Sequence, residues 1–491
     1  MSSETLVPPR PVWRKWLWVG GGVLVAIVAL LAAVVVVPAI GKAARTCDEG
    51  VEKRGDNSEC TGVTDGRYVF SPELEDVQQR IRAENDAVAA SGQPFVSVAV
   101  FLPMTLMDDD ILSREWVRHQ LQGAFMAQHR ANNSNSWGST PLIKLLLANP
   151  GSRLAQWEPV VAELERRIDT DHVVAVTGIG LSLDDSRKAL RRLSELEIPI
   201  IGSHLAADDL SEIPGFMRVS PTSSTYGQAA AAHIKPTAHT AALVQDRNPA
   251  DLYPKTLAEA FTQRFVDADH HIVGRTELFD SSLPGVENTF LQMMPNLCGN
   301  QPDVVYFAGR ENDMTSFIAQ LALRPCLEKP ITVMTGDLAL VGAPEDAMRR
   351  GLDANVTVLA PGLAHPQAWI TSPEAFNPSS VASFREDSCT DCFEAVFPGE
   401  RLDDGVAILA HDAVLTAVWA IRRSTATPAS KVTARDVLQV RNRLHGELAV
   451  PGASGMISFD ERGDPVNKAI PILRVRSDDT PEFVALSSPA E

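Results

Sequence analysis

From residue 94 onwards the apolar positions fall into two alternating patterns. Short continuous runs rich in Val, Ile and Leu are separated by longer stretches in which apolar residues recur every three or four positions. Short runs bounded by turn residues read as strands buried on both faces, and the three-to-four spacing reads as helices with one apolar side. Strands are predicted at Phe95–Leu102, Leu142–Leu147, Val173–Thr177, Ile198–Ile201 and Phe216–Val219. Helices are predicted at Glu115–His129, Gln156–Ile168 and Ser182–Glu197, with another beginning near Thr225. The series then restarts. Strands are predicted at Thr240–Gln245, Ile272–Leu278, Val304–Phe307, Ile331–Met334 and Val356–Leu359, with helices at Leu252–Val266, Val286–Leu297 and Met314–Leu323. Strand–helix alternation with right-handed crossovers builds a parallel sheet covered on both faces. The predicted fold class is therefore α/β, with two doubly wound parallel-sheet lobes of similar size and a cleft between them.

The flanks read differently. Past Ala360 the alternation stops, and residues 365–398 are rich in Pro, Ser and acids. Helices follow at Asp404–Arg422 and Thr433–Leu444, the second opened by Thr433 as its cap. Gly455–Asp460, a turn at Glu461–Asp464 and Ile470–Val475 read as a hairpin. Upstream, Thr46–Tyr68 has no apolar period and reads as loop, and Pro72–Ala90 reads as a helix entered through Ser71-Pro72.

Trp16–Gly41 is a run of 26 residues without a charge. A bilayer core needs about 20 apolar residues in a helix. Trp13, Trp16 and Trp18 cluster at one end, where indoles favour the headgroup region. The alternative is a cleaved signal peptide, whose apolar part would be only about 7–15 residues. The length, and Lys42 and Arg45 where a cleavage site would fall, favour an uncleaved single-pass anchor. The expected organisation is a cytoplasmic tail at 1–15, the span at 16–41 and an extracytoplasmic stalk at 42–93. The first lobe is expected from 94–236 and 402–445, the second from 237–401 and 446–480, and a tail at 481–491.

Charge and cysteines then set the side. Arg10, Arg14 and Lys15 precede the span, and Lys42, Arg45, Lys53 and Arg54 follow it, so the positive-inside count is balanced. All six cysteines lie beyond the span: Cys47 and Cys60, Cys298 and Cys326, Cys389 and Cys392. An even number with close pairs suggests disulfides and an oxidising compartment, the alternative being reduced, buried thiols. The bulk of the chain is therefore expected outside the cell membrane. The net charge is −18, and residues 1–46 hold five Lys/Arg and one Glu, which leaves −22 on the remainder. Such a surface repels phosphate backbones and excludes nucleic acid as a partner.

No phosphate loop, H-E-x-x-H or G-x-S-x-G pattern occurs, so neither a cofactor, nor a metal, nor a nucleophile–base pair is implied. A ligand site is better defined. Open α/β sheets bind ligands beyond the C-terminal ends of their strands, and two lobes place that site between them. Thr177-Gly-Ile-Gly180-Leu-Ser182 follows the third strand; its glycines allow close backbone approach, and Ser182 either donates to a ligand or caps the next helix. Ser203-His204 follows the fourth strand. In the second lobe Tyr253 opens a helix, Arg310 follows the third strand, and Asp337, suited to an ammonium group, follows the fourth.

Several stretches occur in the order found in a known family. These are Val173–Ser203 with its IPIIG strand, Phe216–Pro221 followed by Tyr226-Gly-Gln-Ala-Ala, and Pro302–Gly309. Ala410-His-Asp-Ala413 and GMISFDERGD at Gly455–Asp464 follow. In these the chain resembles the type I periplasmic binding proteins, specifically the branched-chain amino-acid binders of ABC importers, over about Pro94–Val475. The resemblance implies two lobes joined by three crossings that close on a small ligand. By position it implies that Ser182 holds a carboxylate, that Tyr253 is an aromatic wall and that Asp337 meets an α-ammonium. The chain departs from the pattern at Ala206-Ala207, where a small residue and a Thr are common, and at Arg310-Glu311, where an aromatic is common. The implied function is that of a membrane-anchored solute-binding protein with an amino-acid-like ligand, partnered by a permease and an ATPase. The rival is a sensor that reports the ligand to a membrane partner; an extracellular enzyme is the third reading.

Overall fold

The computed structural model describes residue 13 and residues 45–108, 110–251, 253–337, 345–385, 389–424, 432–478 and 480–487. The span expected at 16–41 lies outside the described residues, as does the tail before it apart from residue 13. Among the described residues no helix is long and apolar enough to cross a membrane.

The first lobe begins with three strands that the sequence reading assigned to a stalk. These are β1 (Thr46–Asp48), β2 (Val51–Arg54) and β3 (Glu59–Thr64). They pair antiparallel and then join β5 (Leu142–Asn149) through Val63 opposite Ala148. The stalk at 42–93 is thus corrected to an extension of the first sheet. Polar edge strands carry no apolar run, so only their pairing reveals them. Gly62 has φ +148 and a Cβ there would lie 1.9 Å from the Gly50 carbonyl oxygen, so the hairpin needs glycine. Beyond it, β5, β4 (Phe95–Phe101), β6 (Val173–Gly178), β7 (Ile200–Gly202) and β8 (Phe216–Arg218) run parallel. Helices α1 (Glu75–Ser91), α2 (Arg114–Asn133), α3 (Trp157–Thr170) and α4 (Asp184–Glu195) complete the lobe.

Helix α5 (Ser223–Ile234) was expected in the first lobe but packs on the second, so the first crossing lies at 219–222 and not near 236. Its small face sits on α6 (Tyr253–Phe265), and a Cβ on Gly227 would come within 2.8 Å of the Leu257 carbonyl oxygen. The second sheet contains β9 (Thr240–Asp246), β10 (His271–Ile272), β11 (Glu277–Phe279), β12 (Val304–Ala308), β13 (Ile331–Thr335) and β14 (Val356–Pro361). The single strand expected at 272–278 is split, with Gly274 at φ +71 turning the chain between two short strands that both pair with β9. Helices α7 (Val286–Asn300), α8 (Glu311–Leu321) and α9 (Glu345–Asp353) cover it.

The chain then returns. Helix α10 (Val406–Arg423) is almost wholly buried and lies against α2, where a Cβ on Gly123 would meet the Ala407 carbonyl oxygen at 2.0 Å. Close backbone contact of this kind requires glycine. After α11 (Ala434–Val440), capped by Thr433, come β15 (Val450–Gly452), β16 (Gly455–Phe459) and β17 (Pro465–Val466), a small antiparallel sheet. This sheet packs on α10 and reaches Arg218 in the first lobe, so 446–466 is corrected away from the second lobe. The expected hairpin of 455–460 with 470–475 is also replaced. β16 pairs with β17, while β18 (Ile470–Val475) crosses to pair with β14. β19 (Pro481–Ser487) then pairs with β18, so the tail expected from 481 is in large part an edge strand. All six cysteines are bridged: Cys47–Cys60, Cys298–Cys326 and Cys389–Cys392.

Candidate functional site

The two sheets point the C-terminal ends of their parallel strands at a common cleft. The cavity there is about 70 Å³, set within some 600 Å³ of space that includes open solvent. Ile111, Leu112, Ser113, Trp116, Leu181 and His204 line it from the first lobe, and Tyr253, Gly309, Arg310, Glu311, Asn312 and Asp337 from the second.

His204 stands on a loop whose backbone is held at several points. Ser182 Oγ accepts from the Ala207 N–H at 3.2 Å. Arg218 Nη1 donates to the carbonyls of Leu205 and Ala207, both at 2.8 Å, and Ser223 Oγ donates to that of Ala206 at 2.9 Å. Arg218 is itself held by Asp464 through Nε at 2.8 Å. The Arg of the FMR strand therefore acts behind the site, fixing the loop that carries His204.

In the second lobe Asp251 organises the wall. Its Oδ1 accepts from the Tyr253 N–H at 3.0 Å, capping α6. Its two oxygens also receive Arg310 Nε and Nη2, both at 2.7 Å. The guanidinium lies 4.4 Å from the centre of the Tyr253 ring. Burial opposes the charge on Arg310, but Asp251 outweighs it and holds the group above its ordinary value. Burial, reinforced by Asp337, raises the Tyr253 phenol well above its usual range. Asp313 on α8, buried and facing the charges of Asp246 and Asp251, is pushed up to about 7.

The lobes meet where His204 Nε2 comes within 2.9 Å of Asp337 Oδ2. Burial works to raise the Asp337 carboxyl, yet the hydrogen bond and charge of His204, then Tyr253 and Arg310, hold it below its ordinary value. Its other oxygen, Oδ1, is buried and has no hydrogen-bond partner among the described residues. A backbone bridge between Leu183 and Asp251 joins the lobes beside this pair.

Of the residues singled out from sequence, His204, Tyr253, Arg310 and Asp337 come together in the cleft. Gly180, Ser182 and Ser203 do not line it. Ser182 serves the 203–207 loop, and its neighbour Leu183, not Ser182, stands at the cap position of α4. Ser203 Oγ donates to Gln120 Oε1 at 2.8 Å inside the first lobe. Gly180 lies under an indole: a Cβ there would fall 2.4 Å from Cη2 of Trp116. Trp116, which lines the cleft, and Asp251, which holds its wall from behind, are among the residues that sequence reasoning missed. Trp116 sits on the apolar side of a helix and resembles any core residue. Asp251 sits in an Asn-Pro-Ala-Asp turn, where acids are common.

Two such sheets, joined by three crossings, recur in solved structures. The leucine-binding protein LivK of Thermotoga maritima superposes with a TM-score of 0.57 at 20% identity, over 80% of this chain and 99% of that one. This chain has the type I periplasmic binding-protein fold. LivJ of Streptococcus pneumoniae, solved with isoleucine, gives 0.57 at 16% identity over 80% and 99%. A solute-binding protein of an ABC transporter from Rhodopseudomonas palustris, solved with 3,4-dihydroxybenzoic acid, gives 0.57 at 17% identity over 80% and 96%. No protein-family model and no curated protein sequence matches the chain. In this fold the cleft between the lobes is the place where residues of both sheets converge, and the His204–Asp337 pair spans it.

Proposed function

We propose that the chain is a membrane-anchored, extracytoplasmic solute-binding protein that closes on a small amino-acid-like ligand and serves an ABC importer. The observation that carries this reading is Asp337, an ionised buried acid that meets His204 of the opposite lobe while its second oxygen has no partner among the described residues. A ligand whose N–H meets Asp337 Oδ1 while its body rests against Trp116 of the first lobe would make contacts to both lobes at once, which is what selects a closed state. Binding energy offered by only one lobe would not favour closure. The uncharged run at Trp16–Gly41 supports anchoring, and the three disulfides suit an oxidising compartment. Anchoring would raise the local concentration of receptor beside its permease. The structural neighbours named above supply the importer context.

The test is a thermal-shift and calorimetric screen of the full chain in detergent against amino acids, their amides, amines and small acids. At least one compound should raise the melting temperature, and Asp337→Ala should weaken it on the order of 100-fold, as expected for loss of a buried charge-assisted bond. Flat curves across the whole library would overturn the receptor reading. Alkaline carbonate extraction of cells should leave the chain in the membrane fraction; full release would remove the anchor.

A further inference from the structure

We propose that the solute brings an amine or amide N–H to Asp337 and carries no free carboxylate: an amine or primary amide with an apolar or aromatic body, and not a zwitterionic amino acid. This rests on the receptor reading above and narrows it.

On the first-lobe side of the cleft the loop after β6 is covered by an aromatic ring. Where backbone amides of the Gly178–Leu181 loop would otherwise face a ligand, the Trp116 ring lies against Gly180, with Cη2 and Cζ3 at 2.4 and 2.8 Å from a Cβ built there. Trp116 is 4% exposed, its backbone N–H donates to the Ser113 hydroxyl at 3.0 Å, and its ring meets His204 edge-on at 5.8 Å. The hydroxyls flanking that loop point elsewhere, Ser182 to Ala207 and Ser203 to Gln120.

Charge points the same way. Among the described residues that line the cleft, Asp337 is a buried carboxylate, and the guanidinium of Arg310 is paired with Asp251 behind the lining. Asp251 already receives two of the Arg310 donors, so that guanidinium is engaged before any ligand arrives. A carboxylate placed beside Asp337 would meet like charge in a medium of low dielectric. A donor, in contrast, would complete the buried Asp337 Oδ1. The indole of Trp116 lines the same space, and an apolar or aromatic body can rest against it.

The experiment compares matched probes on the full chain in detergent by calorimetry. L-leucine is set beside L-leucinamide, isoamylamine and 4-methylpentanoate, and L-phenylalanine beside phenylalaninamide, phenethylamine and benzoate. The amide or amine of a set should bind at least 10-fold more tightly than the zwitterion, with the plain acid weakest. Trp116→Ala, which uncovers the Gly180 loop, should shrink that discrimination. A zwitterion or acid preferred by the unaltered chain would overturn the inference and leave the receptor reading standing. Silence from every probe and from the broader screen would overturn both.

Discussion

The backbone N–H of Asp337 donates to the hydroxyl of Tyr253 over 3.1 Å, so the ring that walls the cleft also holds the loop that carries its acid. The contact needs Gly336. A Cβ at that position would lie 1.9 Å from the Tyr253 hydroxyl oxygen. Gly336→Ala is therefore expected to push the ring off the loop and to weaken ligand binding by about 10-fold or more, whereas Tyr253→Phe removes one hydrogen bond of about 1 kcal/mol, or roughly 5-fold. Calorimetry on both variants checks the order. Equal affinity for Gly336→Ala and the unaltered chain would separate the ring from the loop.

A buried histidine clamps the crossing that leads into α10. His119 Nδ1 pairs with Asp404, whose Oδ1 caps α10 at the Val406 N–H, 2.9 Å away, and His119 Nε2 lies 3.0 Å from Glu400. Burial alone would lower the imidazole, but Asp404 and then Glu400 raise it to about 9. The hydrogen bond from His119 is the main cause that brings Glu400 down to about 2, with Arg118 adding to it against burial. A group raised in the folded state stabilises fully below its unfolded value, near 6.5, and loses that contribution as pH climbs towards 9. The loss amounts to on the order of 3 kcal/mol. Urea midpoints measured from pH 6 to 10 should fall across that window, and His119→Gln should flatten the fall. A His119→Gln curve parallel to that of the unaltered chain would remove His119 from this role.

Arg218 is fully buried and bonds to Asp464, Leu205 and Ala207. Replacing it by Met leaves the buried Asp464 only the Ser211 hydroxyl and Arg462 at 3.8 Å, and removing one partner of a buried pair costs about 3–5 kcal/mol. Because the same side chain fixes the His204 loop, ligand affinity should fall with stability. Chemical denaturation and calorimetry on Arg218→Met measure the two effects. Unchanged stability would mean that the pair is dispensable.

Mass spectrometry without reductant should find no free thiol among the six cysteines. The Cys298–Cys326 bridge spans 28 residues, and a loop of that length contributes about 3.5 kcal/mol in the chain-entropy account. A Cys298→Ser/Cys326→Ser variant should unfold at correspondingly lower urea. Free thiols in the protein isolated from cells would undo the external placement.

The lobe architecture was legible because strands sandwiched between helix layers have no choice of residue. Val173–Val176, Ile200–Ile201 and Val304–Phe307 are buried on both faces, so they are apolar runs, and the pattern announces them. The loops after those strands were legible for the same reason, since a strand's end locates the cleft. His204, Tyr253, Arg310 and Asp337 were found that way. Other features have no local signature. The β1–β3 strands are polar and short, and they exist because β5 offers them a sheet edge. Helix α5 reads the same whichever lobe it covers, and its small residues chose α6. Trp116 over Gly180, Arg310 locked to Asp251 and Ser182 turned to Ala207 are pairings between residues far apart in the chain. Periodicity reports which face of an element is buried. It carries no information about which distant side chain arrives there, and in this cleft those arrivals set the charge and the shape that a ligand meets.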